Sequence, residues 1–279
     1  MNKHMTVPVL VSAMMLSMAA MAHASITIRV FASDAVERPL REIGYAFERQ
    51  HPNVKLHYEF AASGLFMGSI IQGVPPDIYI SSTEKYQDQL INRAQINFPT
   101  TLAYDYFAAA EPCSNPVSRS KLGTITPAKL FGALTRNDVT VGIASPTLSP
   151  AGRYTHTLFM SINKKEPGAY AKIMSHSKEE LSPNFVMPYV RDGKVDIAIL
   201  YSSQIAGMRR QGVCVNETQI PRPYNRKMTF SASLLKASAL RVVSPIRKKT
   251  GLEYVRFLTS KEGTSAFRKW GFIPANNGG

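Results

Sequence analysis

Apolar residues run from Ile26 to Phe31 as a short strand, and Val36, Leu40, Ile43 and Phe47 then recur at helical spacing, which predicts strand, loop, helix. Pro39 fits the first turn of that helix, where a missing N–H costs little. Val54, Leu56, Tyr58 and Phe60 alternate as a second strand, and the small residues Ala61 to Gly64 open an apolar helix through Ile70 and Ile71. Pro75-Pro76 stops the chain before a third strand over Asp77 to Ser81, and Thr83 to Arg93 reads as helix. Further on, Thr126-Pro127 caps a helix ending near Leu134, and Val139, Val141 and Ile143 alternate as a strand. Ser149 at the N-cap and Pro150 at the first helical position then begin a segment reaching Ile162. Phe185, Val186, Tyr189 and Val190 fit a helix, Asp192-Gly193 a turn, and Val195, Ile197 and Ile199 a strand ending at Leu200 to Ser203. Met228 to Leu235 is a strand, and two C-terminal helices carry Tyr254, Phe257 and Leu258, then Phe267 and Trp270. Such alternation of strand and helix implies parallel sheet.

Composition narrows the class. With 279 residues and 44% hydrophobic content, the chain fills one large or two modest cores, and no linker separates independent domains. A charged fraction of 19%, 17 Gly and 18 Pro exclude collagen, coiled coil and low-complexity chains. Met1-Asn2-Lys3-His4 precedes the apolar run Thr6 to Ala20 and the Ala22-His23-Ala24 cleavage pattern, so residues 1–24 read as a secretory signal peptide and predict a periplasmic protein. The run is shorter than the ~20 residues a membrane span needs, and it lacks a lipobox cysteine.

The formal net charge is +14, and residues 204–279 carry 14 Lys and Arg against Glu217, Glu253 and Glu262. No aromatic stacking pattern accompanies these charges, so they read as a solvated basic face, with no nucleic-acid partner expected. Cys113 and Cys214 are expected to pair in an oxidising compartment, where closing a loop of ~100 residues would stabilise by up to ~4–5 kcal/mol.

Three strand-to-helix loops carry small or hydroxyl residues: Ala32-Ser33-Asp34, Ala62-Ser63-Gly64 and Ser149 to Gly152. Each offers free backbone N–H groups at a helix start, where the dipole favours negative charge; converging, they would bind an oxyanion without charged side chains. Tyr201, at a strand end, is placed to reach a cleft beyond the carboxyl edge of a sheet. Catalytic signatures such as G-x-S-x-G, H-E-x-x-H, the P-loop and the dinucleotide fingerprint do not occur. His51, His57, His156 and His176 contain no i, i+4 pair, so neither a metal site, a cofactor nor an enzyme activity is expected, and Asp77 reads as a turn or cap.

At these residues the chain resembles the periplasmic solute-binding proteins for molybdate and tungstate. The likeness lies in RVFASDAVERPLREIGYAFERQHPNVKLHYEFAASG, GVPPDIYISSTEKYQDQL, ITPAKLFGALTRNDVTVGIASPTLSPAGRYTHTL, GKVDIAILYSSQIA and FLTSKEGTSAFRKWGFIPA, nearly end to end. The resemblance implies a two-lobed α/β periplasmic-binding fold, each lobe a mostly parallel sheet flanked by helices, with the ligand cleft between lobes. Lobe one would comprise residues 25–103 and 228–279 and lobe two 104–227, with both cysteines in lobe two. It implies a monomer that holds a small oxyanion and delivers it to the membrane subunits of an ABC permease. Carried over by position, the ligand-binding residues are Ser63, the backbone of Ala151 or Gly152, a donor at Pro183 or Asn184, and Tyr201. Ala35 occupies the place of the family's first serine, so that hydroxyl falls to Ser33; Pro183 has no N–H, so that donor shifts to Asn184. Asp34 departs further, since an ionised carboxylate would repel a divalent oxyanion. Two alternatives stand beside this reading. The same fold could take another solute, an organic anion or a cation coordinated through Asp34, or the chain could be an exported adhesion module using Arg209-Arg210, Arg247-Lys248-Lys249 and Arg268-Lys269.

Overall fold

A computed structural model describes residues 25–113, 123–236 and 244–275; the leader read over residues 1–24 lies outside them. No helix among the described residues is long and apolar enough to cross a membrane.

Two sheets organise the chain. The first is built from β1 (Ile26–Ser33), β2 (Val54–Ala61), β3 (Ile78–Ser81), β4 (Thr100–Asp105), β10 (Met228–Leu234) and β11 (Ile273–Pro274), in the order β11-β4-β10-β3-β1-β2. The second holds β5 (Phe107–Pro112), β6 (Val141–Ala144), β7 (Ser177–Glu180), β8 (Ile197–Tyr201) and β9 (Val215–Gln219), in the order β7-β6-β8-β5-β9. The chain leaves the first sheet after Asp105 and returns to it by way of residues 220–227.

Both sheets are mixed rather than mostly parallel. The ladders β1–β2, β1–β3, β6–β7 and β6–β8 are parallel; those made by β4, β5, β9, β10 and β11 are antiparallel. The parallel part follows from helical crossovers. α1 (Glu37–Gln50) joins β1 to β2 and α2 (Ser63–Ile71) joins β2 to β3, while the antiparallel strands come from segments that change sheet or return from a distance.

On α1 the buried positions are Pro39, Leu40, Ile43, Gly44 and Phe47, one helical face laid on the sheet, while Val36 just before it is buried in a one-turn 3₁₀ segment over Asp34–Val36. α3 (Glu84–Asn92) follows β3, and the helix expected from Thr126 is limited to α4 (Leu130–Leu134), preceded by turns. Around the second sheet run α5 (Pro150–Lys165), α6 (Ala169–Ser175), α7 (Pro183–Arg191) and α8 (Ser202–Arg210), while α9 (Pro245–Leu258) and α10 (Lys261–Lys269) close on the first. The strand expected to reach Ser203 ends at Tyr201, because Ser202 already opens α8.

Cys113 and Cys214 are joined in a disulfide with Cα atoms 5.3 Å apart. It prolongs the β5–β9 ladder, and the Cys113 N–H donates to the Cys214 carbonyl at 3.1 Å. The basic C-terminal residues are dispersed rather than gathered into one patch. Arg247 pairs with Asp77 at 2.6 Å, Arg209 with Glu217 at 3.0 Å and Lys269 with Glu42 at 2.9 Å, on three different helices. Asp77 also accepts from the Arg29 N–H at 2.8 Å, a structural anchor for the start of β3.

Candidate ligand-binding cleft

Parallel pairing sets the strand ends level. Ser33 stands beside Ala61 and Ala32 beside Ile80, so Ser33-Asp34, Ala62-Ser63 and Ser81-Ser82 all emerge at one edge of the first sheet. In the second sheet Ala144 stands beside Glu180, and β8 ends at Tyr201 on the same side. The two carboxyl edges face each other across the lobes, the place where open α/β sheets bind ligands.

Ser63 is buried as the first residue of α2; its Oγ lies 3.2 Å from the Ser82 Oγ and accepts from the Ser82 N–H at 3.2 Å. The Tyr79 hydroxyl donates to the Ser63 carbonyl at 2.9 Å. Tyr201 is buried from the other lobe, stacked on Phe107 at 4.4 Å and edge-on to Phe230 at 5.5 Å, with the Ser82 side chain near enough to act on its hydroxyl. Burial pushes the Tyr201 hydroxyl far above its ordinary value and Asp105 and Asp34 push it further, against the lowering effect of Ser82 and, less, of Arg153; it is therefore a neutral donor.

Ala151 and Gly152 sit buried in the first turn of α5 behind Ser149 and Pro150. A methyl at Gly152 would stand 2.1 Å from the Ser145 carbonyl oxygen, so glycine lets this helix start press on the end of β6. Gly64 does the same between lobes: a methyl there would stand 2.6 Å from the Leu148 carbonyl oxygen. The starts of α2 and α5 thus meet across the cleft.

Asp34 crosses from lobe one to lobe two. Its buried carboxylate accepts from the Ser182 hydroxyl, and its carbonyl accepts from Asn184 Nδ2 at 3.0 Å. Asn184 Oδ1 in turn accepts from Gln204 Nε2 at 2.9 Å, and Gln204 Oε1 accepts from the Tyr201 N–H at 3.2 Å. Burial raises the Asp34 carboxyl to about 6, with Ser182 lowering and Glu37 raising it. Asn184 therefore spends its side chain on tying the lobes together, while its N–H belongs to the first turn of α7. Ser33 is buried at the end of β1, one residue before this tie.

Two cavities border residues next to the hydroxyl cluster, Asp34 and Gln204 in one and Thr83 and Pro150 in the other, while neither is lined by Ser63, Ser82 or Tyr201. One of about 400 Å³ is lined by Asp34, Glu37, Arg38, Arg191, Asn184 and Trp270. There Arg38 donates to Gln211 at 2.7 Å and Arg191 pairs with Asp192 at 2.8 Å. The other, of about 410 Å³, is bordered by Thr83, Lys85, Arg153, Tyr154, Tyr224 and Arg226. No cluster of three or more His, Cys, Asp or Glu among the described residues could hold a metal ion.

A model of the bacterial extracellular solute-binding proteins matches residues 28–273. The chain belongs to that family. It is a solute-binding protein of an ABC importer family, the component that works with ABC permease subunits. The putative ABC transporter substrate-binding lipoprotein YvgL of Bacillus subtilis is 20% identical over 253 residues, 88% of this chain and 86% of that one. Among solved structures, the periplasmic molybdate-binding protein of Azotobacter vinelandii superposes with a TM-score of 0.70 at 14% identity, over 88% of this chain and 98% of that one. The sulfate-binding protein SubI of Mycobacterium tuberculosis gives 0.72 at 15% identity, over 90% and 88%. These relatives are transport proteins rather than enzymes, and their likeness carries the two-lobed fold.

Sequence reasoning missed Ser82, Ser182, Gln204 and Arg153. Ser82 had a signal, a hydroxyl pair at the end of a buried strand before a helix, the same junction that drew attention to Ser63. Ser182 sits just before Pro183, an N-cap signature of the kind read at Ser149-Pro150.

Proposed function

We propose that the cleft captures a tetrahedral oxyanion, molybdate or tungstate in preference to smaller ones, in the periplasm after loss of residues 1–24, and delivers it to an ABC permease. In this reading residues 25–103 with 228–279 close on residues 104–227 around the anion. The observation that carries it is the hydroxyl cluster of Ser63, Ser82 and Tyr201 at the meeting of the α2 and α5 helix starts. The donors assigned are the hydroxyls of Ser33, Ser63 and Tyr201 and the N–H groups of Ala151, Gly152 and Asn184. Each hydrogen bond to a charged group contributes ~1.5–3 kcal/mol, so five or six suffice after the cost of association. Helix starts fix these donors, so selection follows anion size. Titration calorimetry of the protein with molybdate, tungstate, sulfate and phosphate tests this: saturable one-to-one heat with molybdate or tungstate is expected, and no heat or thermal shift with any of them sinks it.

A second reading rests on Asp34. Ionised, its buried carboxylate opposes a fully ionised dianion and suits a solute that carries a proton or a positive charge. Hydrogen phosphate outcompeting molybdate at pH 8 would favour it.

A further inference from the structure

The cavity beside α5 and α3 is polarised in a way that a bare oxyanion does not use. Lys85 stands on the first turn of α3, Arg153 on the first turn of α5 and Arg226 on the segment that returns to β10. None of the three has a carboxylate within ion-pair distance among the described residues, whereas Arg209, Arg247 and Lys269 all do. The acids closest in sequence, Glu84 and Asp88, border the neighbouring groove on the far side of Lys85 rather than this cavity. Thr83, Tyr154 and Tyr224 add polar groups to its wall, and the Tyr154 hydroxyl donates to the Tyr224 carbonyl at 2.9 Å.

Arg153 links cavity and cluster. Its guanidinium stacks over the Tyr86 ring at 4.4 Å, a ring whose hydroxyl lies against Gly64 at the start of α2, and its charge acts on the buried Tyr79 and Tyr201 hydroxyls. Arg153 is thus shared between the cluster and a cavity of about 410 Å³, a volume in the range of small-molecule pockets, whose wall also carries Lys85 and Arg226 and begins at Thr83 and Pro150, the neighbours of Ser82 and Ala151.

Resting on the oxyanion reading, we propose that the same cleft also takes a solute with a second anionic group, received by Lys85, Arg153 and Arg226. The ligand class is a small organic phosphate that also bears a carboxylate. The phosphoryl oxygens take the neutral donors of the cluster, and the carboxylate lies in the cavity, where a guanidinium offers a planar fork that matches it.

Calorimetry with 3-phosphoglycerate, glycerol 3-phosphate, inorganic phosphate and molybdate tests this, the first two differing in the carboxylate. The wild-type protein should bind 3-phosphoglycerate about tenfold or more tighter than glycerol 3-phosphate, as expected for hydrogen bonds to a charged group. In the Lys85→Gln/Arg226→Gln double variant that ratio should fall to about threefold or less. Both side chains are exposed, so the variant should melt with the wild type. Arg153→Gln should lower the ratio in the same direction. Equal affinities for the two esters in the wild type, or an undiminished ratio in the double variant, overturns the proposal. Molybdate binding with neither ester bound overturns it while sparing the oxyanion reading; silence with all four probes overturns both.

Discussion

On one side of Tyr201 the cleft presents Asp34 and Glu37 set against Arg38, Arg41 and Arg191; on the other, Lys85, Arg153 and Arg226 stand without a carboxylate. The first flank is nearly balanced and tied across the lobes by Asp34, Ser182, Asn184 and Gln204. The second is a local excess of positive charge. On the proposed reading the difference separates three tasks: the neutral cluster would hold an anion, the carboxylate flank would set the pH at which it does so, and the cationic flank would draw anions in.

The cluster itself should give the largest effect. Ser63→Ala removes a buried hydroxyl of the cluster and should weaken molybdate binding by about 10- to 100-fold, roughly 1.5–3 kcal/mol. Affinity unchanged in calorimetry would mean that the anion lies in a flank instead.

Asp34→Asn tests the carboxylate flank. With its carboxyl raised to about 6, wild-type Asp34 is mostly ionised at pH 8 and mostly neutral at pH 5. The variant should therefore bind molybdate about tenfold tighter than wild type at pH 8, roughly 1.4 kcal/mol, and about equally at pH 5. An advantage independent of pH would remove Asp34 from the account.

Both the fold and these positions were partly legible beforehand. Val36, Leu40, Ile43 and Phe47 are all buried, because a helix on a sheet needs one apolar face and the sequence supplies it at regular spacing. β5, β7 and β9 were not legible, for opposite reasons. Phe107–Pro112 is buried throughout and rich in alanine, so it neither alternates nor favours strand, whereas Ser177–Glu180 is a polar edge strand without an apolar signal. In the cleft, Ser63 and Tyr201 stood out as residues at strand-to-helix junctions. The Asp34–Ser182 and Asp34–Asn184 bonds join residues 148 and 150 positions apart, and only the facing of two lobes creates them.

For molybdate, which has no second anionic group, the cationic flank should act mainly on rate. Raising ionic strength should slow molybdate association several-fold while leaving the molybdate-to-sulfate affinity ratio nearly unchanged, as stopped-flow and competition measurements would show. A ratio that collapsed with salt would place selection in the diffuse field.

The smallest effect concerns Asp105, at the end of β4, where the chain leaves the first sheet. Burial raises its carboxyl to about 7 even though the Tyr106 and Ser203 N–H groups donate to it at 2.7 and 3.3 Å. Because the folded state binds this proton more tightly than the unfolded chain does, its contribution to stability is full below the unfolded value near pH 4 and is lost as pH rises through about 7. The melting temperature of Asp105→Asn, relative to wild type, should therefore climb by about a few degrees between pH 4 and pH 8 in calorimetric scans. A constant difference would show that Asp105 titrates normally.

The central claim, that neutral donors rather than arginines hold the anion, is tested most directly by a crystal structure of the protein grown with tungstate, using the anomalous signal of tungsten. One strong peak is expected within hydrogen-bonding reach, through its oxygens, of the Ser63 and Tyr201 hydroxyls and the Ala151 N–H. A peak seated instead among Lys85, Arg153 and Arg226, with the Ser63–Ser82 pair intact and solvent-free, would contradict it.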